Sequence, residues 1–241
     1  MNGDVEILRA KDDTNVAFWQ KFRATRAYDL LAATPLIALY GMCAVRQLPT
    51  LVEKIGQTRP SDVDLHFIIS TLAELGAFVL VITVLLFVLL REPAKARAKG
   101  LTPAIVAIAG TSFAITVVWL PPIQMTLIVS TVSLLLIILG VGFATYTMLY
   151  LGRSFSIMAA ARTLVTTGPY SVVRHPLYLG EGMAIVGMTL QYLSPLAIVI
   201  VAMQFAFQVQ RMKNEEKILS SQFPEYRDYM ARTARVIPGV Y

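Results

Sequence analysis

The sequence predicts an all-α integral membrane protein with about six transmembrane helices, the last two forming a C-terminal helical hairpin. Three observations carry that expectation. Hydrophobic residues make up 56% of the 241 positions and charged residues 15%, against about a quarter charged in an ordinary soluble domain. The missing charge is concentrated: residues 67–90 hold one acid, Glu74, and no base, and 100–152 hold no Asp, Glu, Lys, Arg or His. Runs of about twenty apolar residues match the hydrocarbon thickness of a bilayer. Several such runs could be soluble core helices only inside a far larger protein.

Taken in order, the first 27 residues are charged, with Asp4, Glu6, Arg9 and Lys11 and no apolar stretch behind a basic start, so no cleavable signal peptide is expected. Phe18, Trp19 and Phe22 interleave with Lys21, Arg23 and Arg26, the pattern of an interfacial helix. Residues 28–150 then supply four spans, near 28–46, 67–90, 103–120 and 123–150. Pro121-Pro122 divides the third from the fourth and predicts a tight hairpin, because proline donates no helical hydrogen bond and restrains its predecessor. The fourth run, about 42 Å long as a helix, exceeds the roughly 30 Å core and must tilt or project. A final apolar region near 177–210 is interrupted at Gln191–Pro195, which predicts two helical arms packed on each other. The third unit, 151–241, holds this hairpin with a loop before it and a helix and tail after it.

Six spans place 18 of the 21 Lys and Arg residues on one side, with both termini; Arg46, Lys54 and Arg59 fall on the other. The termini are therefore expected in the cytoplasm. The net charge of +6 is then a topology signal with attraction to membrane lipids, and no nucleic-acid partner is expected. The single cysteine, Cys43, allows no internal disulfide or thiolate metal site, and no metal site is expected. Oligomeric state is not legible.

Ionisable groups at membrane depth are costly, so their placement is informative. Glu74 reads as an ion site or, more simply, as an acid bonded to a neighbour. The third and fourth spans offer hydroxyls such as Thr111, Ser112, Ser130 and Ser133, the usual glue between helices. The segment 152–182 differs in kind. Arg174-His175-Pro176 precedes a helix that Pro176 can open, which sets Arg174 and His175 beside backbone N–H groups that favour anions. Tyr178 lies in the first turn, and Gly180 and Gly182 allow close approach of a ligand or another backbone. Beyond the last arm, Glu215-Glu216 and Tyr226-x-x-Tyr229 could face a cationic ligand; a surface pair of Arg211 with Glu215 at i,i+4 would explain part of that cluster.

These motifs, in this order, resemble the isoprenylcysteine carboxyl methyltransferase family and the related phospholipid methyltransferases. The likeness runs from about 148 to 241 through Leu151-Gly152-Arg153-Ser154-Phe155-Ser156, Gly168-Pro169-Tyr170, Arg174-His175-Pro176-x-Tyr178-x-Gly180, Glu215-Glu216-x-x-Leu219 and Arg235-x-x-Pro238. The resemblance implies an S-adenosyl-L-methionine-dependent methyltransferase with its cofactor pocket at the cytoplasmic membrane face. It implies Arg174, His175 and Glu216 as catalytic residues, and His175, Tyr178, Gly180, Glu181, Glu215, Glu216, Tyr226 and Arg235 as cofactor-binding residues. The acceptor would be lipophilic, a small molecule or a lipid-modified partner. A carboxylate acceptor fits the scarcity of candidate bases, because it needs no deprotonation. Two alternatives stand beside this reading. Membrane sterol reductases share an Arg-His-Pro and Tyr pattern but use NADPH. A transporter or membrane partner protein would need polar residues at mid-span, where only Glu74 qualifies.

Overall fold

The computed structural model describes residues 22, 25–92, 94, 96–97, 101–156 and 160–239. The charged N-terminal stretch and most of the expected interfacial helix (Phe18, Trp19, Lys21, Arg23) lie outside the described residues. The described residues hold seven α-helices: α1 Arg26–Gln57, α2 Leu65–Leu90, α3 Leu101–Ser112, α4 Leu127–Leu151, α5 Pro176–Leu190, α6 Pro195–Gln222 and α7 Tyr226–Arg232. A two-residue antiparallel pair, β1 Ala96–Arg97 and β2 Ala160–Ala161, joins the two loops at one end of the bundle.

Local chemistry sets the helix ends. Thr25 opens α1 by accepting the Tyr28 N–H, Asp64 opens α2 by accepting from Phe67, and Ser194 opens α6 by accepting from Ala197. Pro176 and Pro195 occupy first-turn positions, where a missing N–H costs nothing. α4 stops at Gly152, whose φ of 48° is a left-handed conformation suited to glycine.

Among the described residues, four helices are long and apolar enough to cross a membrane: α1, α2, α4 with its 3₁₀ extension, and α6. The chain is an integral membrane protein. α1 continues to Gln57, well past the expected end at 46, and accommodates Pro35 and Pro49. The third expected span is α-helical for only 12 residues and continues as a 3₁₀ helix over Phe113–Trp119. Buried Gln204 of α6 sits at this change of pitch, donating to Gly110 O and accepting from Ala114 N at 3.0 Å. It satisfies backbone groups released where the hydrogen-bond register changes.

Two packing expectations need correction. Pro121-Pro122 does not fold α3 back along α4. The chain runs extended to Thr126, Ile123 N donates to Gln191 O at 3.0 Å, and α3 packs on α6. The C-terminal arms do touch, but α5 makes its most extensive contact with α4. Missing side chains explain that choice. A Cβ on Gly140 would lie 2.5 Å from Ala184 N, one on Gly180 would lie 2.7 Å from Ala144 N, and one on Gly187 would lie 2.6 Å from Ser133 O. Backbones this close exclude any side chain, and helices in lipid associate through such small-residue contacts. Ser133 adds a buried bond, donating to Gly187 O at 2.7 Å.

One polar cluster is absent from the sequence-based expectations. Asp29 at the start of α1, Arg91 just after α2 and Arg162 beside β2 are all buried. Arg91 Nε bonds the Asp29 carboxylate, and Arg162 Nη2 lies 3.0 and 3.1 Å from its two oxygens. The cluster ties both long N-terminal helices to the loop that precedes the Arg-His-Pro segment.

Candidate active site

Three chain segments meet at the end of the bundle that carries this ion cluster. The first is the turn into α5, the second is the polar end of α6, and the third is the C-terminal stretch 233–239. Backbone bonds set their register: Arg174 N donates to Ala234 O at 2.8 Å, His175 N donates to Arg235 O at 2.9 Å, and Val173 bridges Ala234 in parallel. His175 precedes Pro176 outside the helix, at φ −128° and ψ 56°, so its N–H can make this pairing while its buried ring meets Glu216.

The adjacent acids of α6 have different surroundings. Glu216 accepts Arg235 as a fork, from Nε at 2.9 Å and Nη2 at 2.8 Å, and its Oε1 lies 3.1 Å from His175 Nε2. Arg174 Nε is also 3.1 Å from that oxygen, at an angle that makes an ion pair without a hydrogen bond, while Arg174 Nη1 donates to Met230 O. Glu215, one position earlier, accepts from the Tyr178 hydroxyl at 2.5 Å. It lies 3.8 Å from His175 Nδ1 and 3.9 Å from Arg211 Nε. His175 thus spans the two carboxylates.

Arg211 was expected in a surface pair. It is instead buried, with its guanidinium 4.9 Å from the centre of the Tyr178 ring, close enough for cation–π attraction. Glu181 faces the same helix pair and accepts from Gln208 at 3.2 Å. Gly180 faces α4 at the helix crossing described above. Tyr226 is buried with its ring 5.6 Å from that of Tyr229, whose hydroxyl donates to Tyr170 O. Burial raises the pKa of Tyr170, Tyr226 and Tyr229, that of Tyr229 up to about 12, so these phenols stay neutral near pH 7.

Two cavities flank this network. The polar one, about 90 Å³, gathers the polar side chains of Tyr170, Arg174, His175, Tyr178, Arg211, Glu215, Tyr226 and Tyr229, with Leu151, Leu164, Val165, Leu177 and Leu219 completing its walls. An apolar one of about 380 Å³ runs between α4, α5 and α6, bounded by Leu136, Leu179, Met183, Val186, Phe205 and Met212 and by Val236 and Ile237 of the C-terminal stretch. Tyr178 belongs to both walls. Within the polar cavity, the buried Tyr170 hydroxyl and Arg174 Nε make no hydrogen bond among the described residues. Among the described residues, no three His, Cys, Asp or Glu side chains gather as a metal-binding group.

Sequence reasoning named most of this network but not Tyr170, Tyr229 and Arg211 as members. Tyr170 and Tyr229 stand inside the quoted motifs. Arg211 carried a weaker signal, an arginine one turn before Glu215 where an apolar helix becomes polar.

Comparison with known proteins bears on the same stretch. Residues 128–226 match the phospholipid methyltransferase family. The chain is 36% identical over 122 residues to the protein-S-isoprenylcysteine O-methyltransferase of Saccharomyces cerevisiae, covering 48% of this chain and 51% of that protein. It is 30% identical over 131 residues to protein-S-isoprenylcysteine O-methyltransferase B of Arabidopsis thaliana, covering 52% and 66%. It is also 37% identical over 106 residues to a nickel-cobalt-cadmium resistance protein of Alcaligenes xylosoxydans xylosoxydans, covering 42% and 50%. The chain spans about half the length of most of these curated relatives. The solved structure of the eukaryotic intramembrane Ras methyltransferase ICMT aligns with 98% of this chain and 85% of its own, at 20% identity and a TM-score of 0.47. The resemblance read from the motifs is borne out: the chain is similar to the isoprenylcysteine and phospholipid methyltransferases.

Proposed function

We propose that this protein is an integral membrane methyltransferase that uses S-adenosyl-L-methionine and acts on a lipophilic acceptor. One observation carries the reading: two linked ion networks, His175–Glu216–Arg235 and Tyr178–Glu215–Arg211, meet at one polar cavity that shares Tyr178 with an apolar cavity. A polar cofactor and a greasy acceptor can meet across such a wall.

The residues fit the cofactor. The Tyr170 hydroxyl, which makes no hydrogen bond among the described residues, and the Arg174 guanidinium suit a carboxylate, while Glu215 and the surrounding aromatic rings suit an ammonium or sulfonium charge. Glu181, behind Gln208, lies next to this group. A cavity of about 90 Å³ is well below the roughly 300–1,000 Å³ of ordinary ligand pockets, so a nucleotide-sized ligand has to part its walls. Arg174 and His175, which line it, are held from behind by the C-terminal stretch through two backbone hydrogen bonds and by Glu216, which Arg235 anchors. When bound, the cofactor supplies an electrophilic methyl group.

This chain's own residues then orient, enclose and exclude water, which is most of what an in-line displacement needs. Glu216 is engaged by Arg235, His175 and Arg174, so its role is to hold the pocket rather than to take a proton. Glu215 and His175 remain as the groups that could accept one from an acceptor that needs deprotonation. A carboxylate acceptor needs none and remains the preferred reading.

Six crossings with both termini in the cytoplasm agree with the charge distribution. α3 with its 3₁₀ continuation reaches about 32 Å, enough to cross, whereas α5 reaches about 22 Å. A short α5 would recess the pocket below the membrane surface, within reach of an acceptor arriving from the bilayer. Binding of S-adenosylhomocysteine and of NADPH to detergent-purified protein tests the assignment. The expected result is saturable binding of S-adenosylhomocysteine alone; binding of NADPH alone supports the reductase, and binding of neither ends the methyltransferase reading.

A further inference from the structure

At the other end of the bundle lies an open cavity of about 410 Å³ between α2 and α4, bordered by Gln191 after α5 and Met125 before α4. Its chemistry is divided. His66, Ser70 and Glu74 stand one turn apart along α2 and join Ser130 and Gln191 at the polar part; Ala73, Ala77, Leu134 and Ile137 form the apolar part. Lys54, from the far end of α1, reaches over the Phe67 ring to Glu74 Oε1 at 2.7 Å and Ser70 Oγ at 3.1 Å. Glu74 is 51% exposed, and its Oε2 accepts no hydrogen bond among the described residues.

Along α2, Glu74 is about 26 Å from Arg91, less than the roughly 30 Å of hydrocarbon. If the buried Arg91 cluster marks one edge of the hydrocarbon, Glu74 and Lys54 lie just inside the other. An ion pair held there is expensive and points to a function. The pair presents both signs of charge above an apolar slot. We propose that this cavity binds one zwitterionic phospholipid from the leaflet opposite the candidate active site. Glu74 takes the headgroup ammonium, Lys54 takes the phosphate, and an acyl chain lies against Ala77, Leu134 and Ile137. The occupant is distinct from the methyl acceptor, whose proposed site lies at the other end of α4 and α5.

The test is native mass spectrometry of the detergent-purified chain, without cofactor, titrated with phosphatidylethanolamine, phosphatidylglycerol or diacylglycerol of matched chains. One tightly held phosphatidylethanolamine is expected, with Glu74→Gln weakening it about tenfold, as loss of a charge-assisted hydrogen bond should. Ala77→Leu, which fills the apolar slot and leaves the ion pair intact, is expected to weaken it as well while the melting temperature holds. Equal affinity for all three lipids overturns the proposal, as does unchanged binding in both variants. So does one-to-one binding of zinc or cobalt that requires His66 and Glu74 and displaces the lipid. S-adenosylhomocysteine binding, measured on the same samples, reports separately on the methyltransferase reading.

Discussion

Replacing Glu216 by glutamine removes one charge where α6 meets the C-terminal stretch and leaves side-chain size almost unchanged. The native carboxylate holds Arg235 at 2.9 and 2.8 Å and His175 at 3.1 Å, with Arg174 a further 3.1 Å away. An amide keeps one acceptor and turns an N–H toward a guanidinium at the other position. A hydrogen bond to a charged group contributes about 1.5–3 kcal/mol, and breaking a buried pair costs about 3–5 kcal/mol. The Arg235 side chain keeps 18% of its exposure, so water replaces part of the lost contact. The cost therefore falls low in those ranges, at about 2–3 kcal/mol. If that free energy holds Arg174 and His175 in place as the cavity wall, affinity for S-adenosylhomocysteine drops about 30- to 150-fold, at 1.4 kcal/mol per tenfold. Calorimetric titration of Glu216→Gln in detergent measures the drop, and a melting curve without ligand separates it from unfolding. An affinity within about twofold of the parent chain, at the accuracy such titrations allow, would refute the claim that this latch shapes the pocket.

Glu215→Gln should leave Glu216 and Arg235 paired, slow transfer to amine or hydroxyl acceptors, and change transfer to a carboxylate far less; a rate comparison across acceptor classes decides it. Gly187→Ala drives a Cβ to 2.6 Å from Ser133 O, and overpacking of this kind costs about 1–3 kcal/mol, read as a lower melting temperature. Gln204→Leu strips the Gly110 carbonyl and Ala114 N–H of their partner, at about 1–3 kcal/mol for each buried group left unpaired; thermal unfolding should detect it with Glu74 and Lys54 unaltered. Stability should also fall as pH rises from 10 toward 12. The Tyr229 phenol, raised by burial to about 12 from its ordinary 10.0, contributes stability below pH 10 that is lost as pH climbs through 12. Tyr229→Phe should flatten that part of the profile.

The spans were legible because membrane helices announce themselves by absent charge, a signal that needs no knowledge of partners. The Arg-His-Pro and Glu-Glu motifs were legible because polar residues beside a span have few reasons to be there. What escaped depends on contacts between distant segments. Asp29, Arg91 and Arg162 each look like flanking charges, and only the fold brings residues 62 and 133 positions from Asp29 onto its carboxylate. Arg211 looked solvated because its i,i+4 partner sufficed to explain it; Tyr178, arriving from α5, is what covers it. The packing partners of α3 and α4 were misread for a related reason. A proline pair shows where helices end, but Gly140, Gly180 and Gly187 decide which helix α4 can approach closely.

The division between Glu215 and Glu216 bears on what kind of site this is. Neighbours on a helix point about 100° apart, so two adjacent carboxylates cannot serve the same ligand equally. Here one is spent on Arg235, His175 and Arg174, and the other accepts from Tyr178 at the wall between the polar and apolar cavities. Were both acids free, the site would resemble a cation trap or a general-base centre. With Glu216 committed to holding the C-terminal stretch, the same residue that orders His175 also places Val236 and Ile237 against the apolar cavity. Ordering the His175 wall of the polar cavity and placing the C-terminal wall of the apolar one thus depend on the same carboxylate. That coupling suits a transfer in which cofactor and acceptor are polar and apolar respectively and water must be kept from both.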